Sequence, residues 1–280
     1  MNIRPGFIQG LDQLASSAQA TYLGADPFPH IVWDNFFDAD YLNGLAESFP
    51  NLFEHPELEH FSNAKEIKSA SQLERGIPPQ HLEFIHFLNS EPFIRFIQIL
   101  TGIREPLIGD PYLLGGGLHQ IKKGGLLKVH ADFNKHRILD LDRRINVLVY
   151  LNKDWGSDYG GHLELWDSKM TRCAEKVLPV FNRMVVFSTT DFSYHGHPEP
   201  LACPEGRTRN SIAMYYYSNG RPKSEVDVQN VSATTKFVSR PDSEHDRKAM
   251  RGFSKSNLIE WAKMCTPPIV WKALRSFNSK

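Results

Sequence analysis

Short apolar, β-branched runs recur between residues 111 and 218, and Gly, Asn, Asp or Pro breaks each one. Ile145–Leu151, His162–Trp166, Met184–Phe187 and Ser211–Tyr217 are the clearest. Many short strands with turn signals between them predict an all-β sandwich or barrel core. Upstream the pattern differs. Pro27–Trp33 is rich in β-formers and reads as a strand. Asp38 then stands as an N-cap before Tyr41, Leu42, Leu45 and Phe49, which predicts a helix ending near Pro50. Residues 51–78 are polar with scattered aromatics and read as an irregular connection or lid. Residues 79–89 and 91–101 carry helical spacing, with Phe93, Ile94, Ile97 and Leu100 on one face of the second stretch and Gly102 placed to close it. The first 25 residues predict a short helix or a loosely ordered lead-in.

After Gly220-Arg221-Pro222 the chain turns polar. It closes with two amphipathic stretches, Leu258–Ala262 and Ile269–Phe277, on either side of Pro267-Pro268. These predict short helices that pack on the core. Their cations Lys263, Lys272, Arg275 and Lys280 also suit peripheral contact with a membrane surface. The divisions expected are a strand-helix lead-in with supporting helices (1–110), a β core (111–222) and a C-terminal extension (223–280).

Composition narrows the class. The 280 residues carry 32 Lys+Arg against 32 Asp+Glu, a net charge of zero, which gives no basic footprint for nucleic acid. No run is long and apolar enough to span a bilayer, and no secretory h-region precedes Pro27. Cys173, Cys203 and Cys265 lie far apart, so neither a disulfide framework nor a structural zinc site is expected. The expectation is a soluble cytoplasmic protein.

The chemistry-bearing residues cluster in the β region. In a strand, residues two apart share a face, so His130 and Asp132 would converge. Tyr194-His195-Gly196-His197-Pro198 follows the strand Met184–Phe187, and Arg209 opens the strand Asn210–Tyr217. Two His and one carboxylate on neighbouring strands make the facial triad of non-haem Fe(II) oxygenases. Arginine at the start of a nearby strand is suited to a dicarboxylate, because its guanidinium binds a carboxylate bidentately.

Several segments in order resemble one family. His130-Ala131-Asp132, Val149-Tyr150-Leu151-Asn152-Lys153-Asp154-Trp155, Gly160-Gly161-His162-Leu163, Phe187-Ser188 with His195, and Arg209–Ala213 look like the Fe(II)/2-oxoglutarate-dependent dioxygenases of the prolyl 4-hydroxylase-like branch. The likeness covers roughly residues 110–218, with a weaker echo in Pro27–Pro50. It implies a double-stranded β-helix (jelly-roll) core with flanking α-helices. It implies Fe(II) held by His130, Asp132 and His195, and 2-oxoglutarate held through its distal carboxylate by Arg209 and Tyr150. Dioxygen is the co-reactant, with ascorbate as an accessory reductant. The implied reaction hydroxylates an unactivated C–H bond while 2-oxoglutarate is decarboxylated to succinate and carbon dioxide.

Alternatives stay open at two positions. His197 competes with His195 as the distal ligand; counting from Phe187 favours His195, and His197 then faces substrate or is a structural histidine hydrogen-bonded before Pro198. Arg207 competes with Arg209, which is preferred because the β-run starts directly after it. By register, Gln120 stands where hypoxia-type relatives carry a cosubstrate-facing tyrosine. Asp140–Arg144 reads as a solvated turn, Trp155 and Trp166 as core aromatics, and Gly115-Gly116-Gly117 as a bulge or close approach. The implied partner is a substrate, either a small molecule or glycan or a prolyl-type peptidyl residue. The tail 258–277 resembles those of enzymes of surface-polysaccharide assembly. The competing function is a cupin-like metal- or sugar-binding or isomerase barrel without oxygenase activity.

Overall fold

In the computed structural model, which describes residues 7–71, 73–227 and 234–251, the short apolar runs become strands of one curled sheet. In chain order these are β1 (His30–Asp34), β2 (Glu59–Ser62), β3 (Glu66–Ala70), β4 (Ile108–Gly109), β5 (Gly117–Lys122), β6 (Leu126–Ala131), β7 (Asp142–Tyr150), β8 (Leu163–Trp166), β9 (Cys173–Val177), β10 (Arg183–Ser188), β11 (His195–His197), β12 (Thr208–Ser218) and β13 (Lys236–Phe237). Pairing runs β1-β10-β7-β12-β5-β3-β6-β11-β8-β9, with β13 on β6, β2 on β3 and β4 on β12. The ladders are antiparallel, and strands far apart in sequence are neighbours, as where β11 lies between β6 and β8. The result is a nearly closed, jelly-roll-like barrel with flanking helices.

Those helices are α1 (Phe7–Leu23), α2 (Ala39–Glu47), α3 (Pro79–Leu88), α4 (Glu91–Thr101) and α5 (Glu244–Arg251). Asp38 caps α2 by accepting from the Tyr41 backbone N–H at 2.9 Å. Gly102 ends α4 at φ +64°, a conformation that glycine adopts without steric cost. The lead-in is a full helix, α1, whose Leu11, Ala15 and Tyr22 are buried.

Strand β7 shows how one sequence run serves two surfaces. Ile145, Val147 and Val149 join the helices in the main core, with Phe84, Phe93, Phe96 and Leu100. The alternate residues Asn146 and Leu148 line a cavity inside the barrel, and Tyr150 packs in a second, inner cluster with Leu163, Val185 and Phe187. A strand buried on both faces loses its apolar-polar alternation and reads as a continuous run.

Two segments differ from expectation. Residues 51–78 contain the β2–β3 hairpin, and β3 bridges β5 (Ser69↔Gln120) and β6 (Glu66↔Leu127). Its text, Glu-Ile-Lys-Ser-Ala, carries little apolar periodicity, because backbone pairing rather than side-chain burial holds it in the sheet. Asp140–Arg144 is a solvated turn only at its start: Asp140 is exposed, but Asp142–Arg144 belong to β7. Arg143 and Arg144 are 0% and 3% exposed within β7. Each has an acidic partner: Asp132 for Arg143 at 2.8 Å, and Glu105 and Glu225 for Arg144 at 3.1 and 3.2 Å. Paired charge can be buried where lone charge cannot.

Trp155 and Trp166 are buried, as expected. Beyond residue 222, β13 pairs with β6, and α5 places Asp246 2.8 Å from the buried Lys128 of β6. No helix among the described residues is long and apolar enough to cross a membrane. The predicted helices within 258–277, together with Cys265, lie outside the described residues.

Candidate functional site

Strand pairing brings the sequence-distant histidines together. His195 on β11 sits opposite His130 on β6, with ring centroids 4.5 Å apart. Asp132 follows β6 directly. Its carboxylate approaches His130 Nε2 at 3.4 Å and His195 Nε2 at 3.5 Å. One ligand atom from each of these residues lies within 4.8 Å of the others. Gly196 makes the pairing possible: a Cβ there would meet the carbonyl oxygens of Leu127 and Lys128 at 2.8 and 2.9 Å.

Hydrogen bonds fix how the three side chains present themselves. His130 Nδ1 lies 2.8 Å from the Lys128 carbonyl oxygen and His195 Nδ1 lies 3.0 Å from that of Ser193. A carbonyl oxygen only accepts, so both Nδ1 atoms carry the proton. Burial pushes the His195 imidazole down to about 4, so near neutrality its Nε2 bears a lone pair. Burial works against the charge of Asp132, but Arg143 and the two imidazoles outweigh it and hold its carboxyl well below the usual range. Arg143 Nη2 and Asn146 Nδ2 both donate to Asp132 Oδ2, at 2.8 and 3.2 Å. Arg143 is itself stacked 3.4 Å from the Tyr215 ring centroid. Electron-rich nitrogen and oxygen atoms thus face one another in a buried space, an arrangement that a bound cation relieves. This donor set fits Fe(II), with the Nδ1 contacts orienting each imidazole.

The same cavity contains an uncompensated cation. Arg209, at the start of β12, is 5% exposed. Its Nε donates to the Gly161 carbonyl at 2.9 Å and its Nη2 to the Tyr150 hydroxyl at 3.3 Å. Burial lowers its pKa, and among the described residues no acidic side chain pairs with it. Tyr150 is fully buried with its hydroxyl at this guanidinium. Arg207 points elsewhere, to the carbonyls of Lys153 and Asp154 on the outer loop.

Other expectations meet corrections. Gln120 does not face the cavity. Its Oε1 accepts from the Leu52 backbone N–H at 2.9 Å and its Nε2 donates to Thr208 Oγ1 at 3.3 Å. Strand alternation turns its neighbours His119 and Ile121 inward instead. His197 is buried in the cavity wall, and among the described residues neither ring nitrogen has a hydrogen-bond partner, so it is not a structural histidine tied before Pro198. Sequence reasoning missed Arg143, Asn146 and Lys68, which stand at or near the cavity. A charge or amide inside the otherwise apolar run 143–151 was a usable signal for the first two. Nothing in the text around Lys68 marked it.

Residues 116–217 match the 2OG-Fe(II) oxygenase superfamily. The prolyl 3-hydroxylase OGFOD1 of Mus musculus is 27% identical over 208 residues, which is 72% of this chain and 35% of that protein. The chain therefore spans about a third of that relative's length. Among solved structures, a Pseudomonas putida prolyl-4-hydroxylase superimposes with a TM-score of 0.51 at 15% identity, covering 74% of this chain and 100% of that one. A prolyl hydroxylase from Trichoplax adhaerens, in complex with a hypoxia inducible factor oxygen degradation domain peptide, gives 0.55 at 17% identity, covering 75% and 92%. At these identities the structures establish a shared fold.

Proposed function

We propose, for a chain whose residues 116–217 are a 2OG-Fe(II) oxygenase domain, that His130, Asp132 and His195 hold Fe(II) while Arg209 and Tyr150 hold 2-oxoglutarate. Enzymes of this family are dioxygenases that use both. Bound Fe(II) with 2-oxoglutarate supplies oxidative decarboxylation to succinate and carbon dioxide, coupled to hydroxylation of a C–H bond.

The chain's own residues do the positioning. The backbone carbonyls of Lys128 and Ser193 set the tautomer and orientation of the two imidazoles. Arg143 and Asn146 hold the carboxylate of Asp132 in place. Arg209 offers a permanent charge to the distal carboxylate of 2-oxoglutarate, and the Tyr150 hydroxyl sits beside it. Leu148, Leu163 and Ile121 give the cavity part of its apolar wall. The observation that carries this reading is the buried Arg209, a cation without an acidic partner among the described residues, in the same cavity as the His-Asp-His cluster.

For the substrate we propose a prolyl-type residue, because the sequence relative is a prolyl 3-hydroxylase. A small-molecule or glycan substrate is the competing class. The free thiols Cys173 and Cys203 suit a reducing, cytoplasmic setting.

The test is thermal unfolding under anaerobic conditions. Mn(II) plus 2-oxoglutarate should raise the melting temperature beyond Mn(II) alone, and His130→Ala or Asp132→Ala should abolish both the shift and aerobic succinate formation. An unshifted wild-type protein would favour the cupin-like barrel. Succinate release screened against prolyl peptides, sugars and amino acids then assigns the substrate.

A further inference from the structure

His197 has no role in the proposed site as described so far, yet it is built into its wall. It is 4% exposed and lines the same cavity as Arg209, His130 and His195. Two residues from His195 on β11, it lines the cavity as His195 does. Among the described residues, neither Nδ1 nor Nε2 has a hydrogen-bond partner. A neutral imidazole always carries one N–H, so a buried donor and a buried acceptor are both left unmade, at a cost to folding. The β11–β6 register shifts between His195 and His197, with Gly196 at the shift.

Arg209 explains the arrangement. It lines the same cavity as His197. A cation on one side and an unpartnered N–H on the other together describe an anion site. Building on the proposed function, we infer that His197 is a cosubstrate-binding residue: its ring N–H donates to the carboxylate of 2-oxoglutarate that Arg209 engages. The dicarboxylate is then recognised by a guanidinium, the Tyr150 hydroxyl and an imidazole. Bound 2-oxoglutarate satisfies the donor that the free protein leaves bare.

The experiment compares wild type with His197→Leu and His197→Gln, reading the Kd of 2-oxoglutarate in the presence of Mn(II) and the melting temperature of the ligand-free protein. His197→Leu should weaken 2-oxoglutarate about tenfold, equal to about 1.4 kcal/mol. It should leave Mn(II) affinity unchanged and raise the ligand-free melting temperature, because an unpaired polar group is replaced by an apolar one. His197→Gln, which retains a donor, should recover most of the affinity. If wild type binds 2-oxoglutarate and His197→Leu binds it equally well, the assignment of His197 is overturned while the proposed function stands. Lowered ligand-free stability in both variants with unchanged affinity would mark a packing residue and overturn it as well. If wild type itself does not bind 2-oxoglutarate beside Mn(II), the proposed function fails first.

Discussion

Arg207 and Arg209 differ by two residues in the chain and by their whole chemical setting. Arg209 is enclosed, with a tyrosine hydroxyl and one carbonyl as partners, and Arg207 is spent on two loop carbonyls. Arg209→Ala should raise the KM for 2-oxoglutarate by about a hundredfold, the loss of a charge-assisted contact in a buried pocket, with Mn(II) binding kept. Arg207→Ala should change that KM little. Steady-state kinetics on both variants decides it, and the opposite pattern would move the cosubstrate contact to Arg207.

Protonation at the same scale gives a pH dependence. His195 titrates at about 4 in the folded protein, pushed down by burial, against about 6.5 when unfolded. Below pH 6.5 the unfolded chain therefore takes up a proton that the folded chain refuses. Stability of the metal-free protein should be level above about pH 7. It should then decline as pH falls from 6.5 towards 4, by up to about 1.4 kcal/mol per pH unit from this group. Urea unfolding in chelator at pH 7.5, 6 and 5 measures the slope, and a flat profile would contradict the neutral His195. Mn(II) binding should persist at pH 6 and fall away as pH nears 4.

Among the elements, β11 is short but sets the site. Its Gly196 packs against the backbone oxygens of Leu127 and Lys128, so a methyl group there cannot be absorbed by a flexible side chain. Gly196→Ala should push β11 off β6, costing about 1–3 kcal/mol of stability and weakening Mn(II) binding severely. Calorimetric titration with Mn(II) and denaturant unfolding give the two readouts. The strands themselves were largely legible. β7, β8, β10 and β12 coincide with apolar runs, and α2 begins at its Asp38 cap. The β2–β3 hairpin was not legible, since Glu66, Lys68 and Ser69 have no apolar rhythm. Its place in the sheet comes from pairing with β5 and β6, strands more than forty residues away.

At the scale of the whole molecule, the segment after residue 222 returns to the site-bearing strand. Phe237 pairs with His130 and lies 5.5 Å from its ring, and Asp246 meets the Lys128 ammonium where both are fully buried. Burial opposes the Asp246 charge, but Arg240 and Lys128 hold its carboxyl well below the usual range. Asp246→Asn strands the Lys128 charge and should cost about 3–5 kcal/mol in denaturant unfolding. A loss under 1 kcal/mol would mean that the pair does not anchor the C-terminal segment.

By itself the sequence named the candidate site residues. Spacing along strands pointed to His130, Asp132, His195 and Arg209, the resemblance to the dioxygenases added Tyr150, and periodicity pointed to a β core, because spacing and periodicity are local properties of strands. Tertiary structure decided what those residues face. It put His119 rather than Gln120 at the cavity, buried Arg143 against Asp132, and left His197, on the cavity with Arg209, without a hydrogen-bond partner among the described residues. Facing depends on how strands remote in the chain are registered when the sheet curls, and on which charges meet there, and neither is written in any local run of residues.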